Sequence, residues 1–221
     1  MTLRLFLFIG VLLFSAVLPQ NVSADYFLWT DPQSKLTVTF PDTWLRLTDR
    51  NPLDVLTIAA PSDGDDAKCV IRTAPDERFV IFPPDYGRAV QKKAVSVPFW
   101  QSYMALYHDY DIGRVYDGGG LGRWIASYAT AAYTTYDGTV LKPRRALMFA
   151  SLYYDTLYIV ECSALAASYD EWEPDFRSII KSIDFEKIYH SFLNGYYADF
   201  LRDADQYFWS QTGPEGTVGY N

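Results

Sequence analysis

Histidine and cysteine are the scarce residues of this chain: two of each occur in 221 residues. With only His108 and His190 present, catalytic triads and histidine-rich metal sites have almost no material to draw on. Cys69 and Cys162 lie too far apart for the close Cys-x-x-Cys spacing of redox pairs and zinc sites. The Gly-x-Ser-x-Gly element of serine hydrolases is missing too, and no Ser or Cys stands in a nucleophile motif beside a His. Basic residues are outnumbered, with 19 Lys and Arg against 27 Asp and Glu and a net charge of −8. That balance weighs against nucleic acid, whose phosphates are held largely by Lys and Arg.

One long apolar run exists, from Leu5 to Leu18, and it stands at the N-terminus. Arg4 precedes it and the small residues of Val22-Ser23-Ala24 follow, so residues 1–24 read as a secretory signal peptide cleaved to leave Asp25 first. The rival reading is a retained anchor. A membrane span needs about 20 apolar residues, and Pro19-Gln20-Asn21 stops this run short. Cleavage would remove one Arg and no acid, taking the net charge to −9. Membrane association is not expected afterwards, and the expected location is the periplasm or the exterior.

An oxidising compartment makes Cys69 and Cys162 an expected disulfide. Each lies in a strand-like run, Lys68-Cys69-Val70-Ile71-Arg72 and Tyr158-Ile159-Val160-Glu161-Cys162, so adjacent strands could bring them together. The expected role is structural.

At 49% hydrophobic and 21% charged the chain should fold, and residues 25–186 are long enough for one α+β domain with a single core. Leu36, Val38 and Phe40 alternate with Thr37 and Thr39, the period of a half-buried strand. Trp44 to Thr48, Val55 to Ala60, Cys69 to Thr73 and Arg78 to Phe82 continue a β meander between Pro, Gly and Asp turns. A helical segment is expected from Asp85 to Val95. Ser96 then reads as the cap of a second helix, with Trp100, Tyr103, Met104 and Tyr107 on one face. Ile112 to Tyr116, Arg123 to Tyr136 and Arg144 to Cys162 return to strand patterns, the last turning at Tyr154-Asp155-Thr156. Trp172, Phe176, Ile179, Ile180 and Ile183 form a closing amphipathic helix, with Pro174 near its first turn.

The strand-Pro-x-x-Trp opening from Leu36 to Trp44, the helical insert, the long paired strands and the closing Phe176-Arg177-Ser178-Ile179-Ile180-Lys181-Ser182-Ile183 together resemble the PsbP-like superfamily over about residues 35–185. That superfamily includes an extrinsic photosystem II subunit and small exported bacterial proteins. The resemblance implies a mostly antiparallel sheet flanked by helices, in domains that bind or scaffold, and it carries no catalytic residue across.

Beyond residue 186 the chain departs from that pattern. Ile188, Tyr189, Phe192, Leu193, Tyr196, Tyr197, Phe200 and Leu201 pair every four residues, which predicts an aromatic amphipathic helix over 187–209 and a loose tail over 210–221. The helix must pack on its own sheet, a second copy or a protein partner; for an interface, Phe192, Tyr196, Tyr197 and Phe200 are the candidates.

Site chemistry is otherwise thin. His108-Asp109-Tyr110-Asp111 reads as a solvated helix-to-strand turn, and Asp63-Gly64-Asp65-Asp66 fails the EF-hand pattern and reads as a solvated turn as well. Asp117-Gly118-Gly119-Gly120-Leu121-Gly122-Arg123 reads as a flexible hairpin connection, since no helix follows it to hold a phosphate. No catalytic residue, metal ligand or cofactor is assigned. The aromatics are the surplus, with 6 Trp, 18 Tyr and 14 Phe, and they favour an exported binding or scaffold module. A carboxylate-based hydrolase, or another small-molecule enzyme of the periplasm, is the alternative.

Overall fold

A computed structural model describes residues 25–48, 51–61, 64–136 and 138–188. The expected signal peptide, the tail and all but the first two residues of the expected C-terminal helix lie outside these residues. Within them, ten strands and three helices form an α+β fold whose strand pairs are all antiparallel.

β1 (Tyr26–Thr30) and β2 (Thr37–Pro41) make a two-stranded unit. β3 (Leu45–Leu47), β4 (Asp54–Ala59), β5 (Lys68–Pro75), β6 (His108–Ile112), β7 (Tyr116–Leu121), β8 (Trp124–Tyr136), β9 (Leu141–Tyr153) and β10 (Thr156–Leu165) form the main sheet. Its order is β3-β4-β5-β10-β9-β8-β6, with β7 also pairing to β8. β9 and β10 turn at Tyr154-Asp155, where the sequence placed the break.

Side chains alternate across a strand, so each strand of this sheet supplies both faces. On one face, Val160 and Cys162 of β10 meet Val38 and Phe40 of β2 and the buried stripe of α3 (Tyr169–Ser182). Phe176, Ile179, Ile180 and Ile183 are all buried there, and Trp172 packs at the margin. Pro174 lies sixth in α3, further in than expected, and removes one intrahelical hydrogen bond. On the other face, Ile159 of β10 and Met148 and Ala150 of β9 carry α1 (Gly87–Ala94) and α2 (Val97–Met104), with Trp100 and Tyr103 fully buried.

Several local expectations are corrected. Arg78 to Phe82 is a pair of turns: Asp76 holds the Arg78 guanidinium at 2.7 and 2.8 Å, and Pro83-Pro84 follows. Tyr107 falls outside α2, which stops at Met104. His108 to Asp111 forms β6 in place of a turn, because it pairs with β8. Gly113 to Val115 interrupts the strand pattern between β6 and β7. The glycine run is also strand: Asp117 to Gly120 lie within β7, and the turn falls at Gly122-Arg123. Gly119 is required there, since a Cβ would sit 2.8 Å from the Tyr128 ring, which stacks on Tyr116 at 4.7 Å. β1 carried no alternating pattern because it is exposed over most of its length.

Candidate binding cleft on the open half of the sheet

α1 and α2 cover only part of their face of the sheet. Where that cover ends, at Tyr103 and Tyr107, the sheet surface of β4, β5, β10, β9 and β8 opens into a cleft of about 250 Å³. Its position follows from strand parity. Lys68, Val70 and Arg72 reach it from β5, Thr57 from β4, Glu161 from β10 and Arg144 from β9.

Glu161 forms the floor. It stands between Val160 and Cys162 on a strand that is buried along nearly its whole length, so it can stay charged only if its oxygens are satisfied. They are: Oε1 accepts from the hydroxyls of Tyr133 at 2.7 Å and Tyr107 at 3.1 Å. Oε2 accepts from Tyr103 at 2.5 Å, Tyr107 at 2.9 Å and Arg72 Nη1 at 3.1 Å. Burial pushes the Glu161 carboxyl up, but the Arg72 charge and the Tyr103, Tyr133 and Tyr107 hydrogen bonds together outweigh it and hold the group below the ordinary carboxylate range. Burial drives the three phenols the other way: Tyr103, Tyr107 and Tyr133 are all raised, and each remains a donor at neutral pH.

Arg72 is the second member. Its Nη1 also donates to the Tyr103 oxygen, and its Nε donates to Asp54 at 2.6 Å. Burial lowers the Arg72 pKa, yet Tyr103, Tyr107, Glu161 and Asp54 raise it further, so the guanidinium is firmly charged. Arg144 is buried and pairs with Asp66 through Nη1, while its Nη2 donates to the Asp66 carbonyl at 2.7 Å and the Ser163 hydroxyl at 3.0 Å. Lys68 is different. It is half-buried at the cleft wall and has no ion-pair partner among the described residues. Beside it, the edge strand β3 presents Leu45 and Leu47, 60% and 46% exposed, toward the same surface.

The residues singled out from the sequence are placed as follows. Cys69 and Cys162 face each other in register across β5 and β10 and are disulfide-bonded. Phe192, Tyr196, Tyr197 and Phe200 lie outside the described residues. His108 is exposed on β6 and meets no converging carboxylates among the described residues. The acidic loop is less solvated than expected, because Asp66 holds Arg144 and Asp65 accepts from Trp172 Nε1 at 3.2 Å. Among the described residues, no group of three or more His, Cys, Asp or Glu could hold a metal ion, and no helix is long and apolar enough to cross a membrane.

Sequence reasoning missed Glu161, Arg72, Arg144 and the three tyrosines as a group. One signal was available: a Glu within Tyr158-Ile159-Val160-Glu161-Cys162 is a charge in a buried strand and demands a cation nearby.

No protein-family model matches the chain, and no curated protein sequence does. Solved structures are similar to it in fold. Cyanobacterial PsbP from Synechocystis shares 12% identity at a TM-score of 0.47, covering 73% of this chain and 93% of that one. LpqN, involved in cell envelope biogenesis of Mycobacterium tuberculosis, shares 15% at 0.48, covering 73% and 91%. A protein from Bacteroides thetaiotaomicron shares 11% at 0.46, covering 74% of this chain and 49% of that one.

Proposed function

We propose that this protein is an exported, non-enzymatic binding module of the periplasm or envelope, and that its ligand surface is the open cleft around Lys68. The saturation of Glu161 carries the reading. A carboxylate that accepts from three phenols and an arginine, and whose pKa is held low, has neither the free oxygen nor the raised pKa that proton transfer in a hydrolase requires. What this network does supply is rigidity: it fixes the floor of a polar cleft. Lys68, with no ion-pair partner among the described residues, then offers a cation and Leu45 and Leu47 the apolar rim, which suits an acidic protein segment carrying an apolar side chain.

Export is supported by the leader-like segment 1–24 and by a disulfide that would be kept reduced in most cytosols. Intact mass of the exported protein tests that half, with Asp25 as the expected first residue. The binding half is tested by capture from the native envelope with wild-type protein and with Lys68→Glu. A partner retained by the wild type and lost by the folded variant supports the cleft. Equal retention places the surface elsewhere, and no retention by either overturns the binding role.

A further inference from the structure

At the opposite end of the sheet a second concave surface is apolar where the cleft is charged. Phe79, Phe82, Pro83, Trp124, Leu152 and Tyr154 line it, between the start of α1 and the β9-β10 turn. Tyr154 remains 37% exposed, and Ile81, between the lining residues Val80 and Phe82, 53%. We infer that the apolar segment from Phe192 to Leu201 of this same chain docks in that groove.

The place where the described chain ends argues for this occupant. The Ile188 N–H donates to the Tyr153 hydroxyl at 3.0 Å, and the Ile188 side chain packs against the same cluster as Trp124. The Tyr153 and Trp124 rings lie 5.6 Å apart. The far edge of Trp124 presses on α1, so closely that a Cβ at Gly87 would meet it at 2.4 Å. Ile188, the last described residue, therefore lies within two rings of the groove. Phe192 lies four positions beyond Ile188, a reach of about 13 Å when extended, enough to pass Trp124.

The segment has the matching chemistry. Phe192, Leu193, Tyr196, Tyr197, Phe200 and Leu201 are pairs at four-residue spacing, more apolar area than water tolerates on one face. A second copy could offer the same segment, but the tether raises its own effective concentration to roughly the millimolar range, so a shallow groove suffices intramolecularly. The inference is independent of the proposed cleft, since Arg144 and Tyr153 mark the two ends of β9 about 30 Å apart at strand rise.

The test places the photo-crosslinker p-benzoylphenylalanine at Tyr196 of the otherwise unaltered chain, irradiates dilute protein and maps products by mass spectrometry. The expected result is a monomeric product joined to residues 79–90, Trp124 or Leu152 to Tyr154. Its yield should fall several-fold when Phe192→Ser and Phe200→Ser, changes within the segment that leave the described core untouched, are combined. A groove product indifferent to that loss of apolar surface overturns the apolar basis of the inference. A covalent dimer, attachment elsewhere on the domain, or no product at all overturns the docking itself.

Discussion

Glu161 occupies a position that an aliphatic residue would fill at lower desolvation cost, so its partners decide whether it stabilises the fold. Replacing it by Gln removes the charge opposite Arg72 and leaves an amide nitrogen that cannot accept from a tyrosine hydroxyl. The expected loss is about 3 to 5 kcal/mol, the range for breaking a buried pair from one side, measured by urea unfolding. The same residue predicts a pH dependence. Its folded-state pKa lies below the ordinary 4.5, so its contribution is complete above about that pH and is lost as pH falls through the depressed value. Wild type should therefore weaken on acidification more steeply than Glu161→Gln. Parallel acid profiles for the two proteins would show that Glu161 is not an ionised partner of Arg72.

Two elements allow opposing effects to be weighed. In α1, Gly87→Ala should gain up to about 1 kcal/mol from helix propensity. The new methyl would meet Trp124 at 2.4 Å, however, and Trp124 is held from behind by Tyr153. Overpacking of this kind costs about 1 to 3 kcal/mol, so the clash wins and the variant should melt lower than wild type. In α3, Phe176 is fully buried among Trp44 and Tyr169, with ring centroids at 6.3 and 5.9 Å. Phe176→Ala should cost about 3 to 5 kcal/mol, as large-to-small changes in a tight core do. A loss under about 0.5 kcal/mol would mean that the helix does not bear on the sheet.

For the molecule as a whole, the Cys69–Cys162 bond joins β5 to β10 at the middle of the sheet across a sequence separation of 93. Closing so long a loop restricts the unfolded chain by up to about 4 to 5 kcal/mol in the entropy model. Cys69→Ala with Cys162→Ala should thus lower the melting temperature markedly while leaving far-UV circular dichroism of the folded protein unchanged. Loss of partner capture at unchanged stability would assign the bond a redox role instead.

Periodicity alone determined much of this architecture. The alternation at Leu36, Val38 and Phe40, the turn at Tyr154-Asp155 and the stripe from Phe176 to Ile183 are local patterns that water imposes on any half-buried element, and the fold repeats them. The disulfide was legible for a similar reason, since two cysteines in two strand patterns of a chain expected to be exported have few other partners. The cleft was not legible. Arg72, Tyr103, Tyr107, Tyr133 and Glu161 lie up to 89 positions apart, and nothing local binds a phenol after α2 to a carboxylate on β10. Strand order placed β5 and β8 on either side of the β9-β10 pair, and the end of α2 put Tyr103 above them. The burial of Glu161 could be suspected from its apolar neighbours; the identity of the groups that keep it charged was decided by tertiary structure, because hydrogen bonds are set by distance in space and leave no period in the chain.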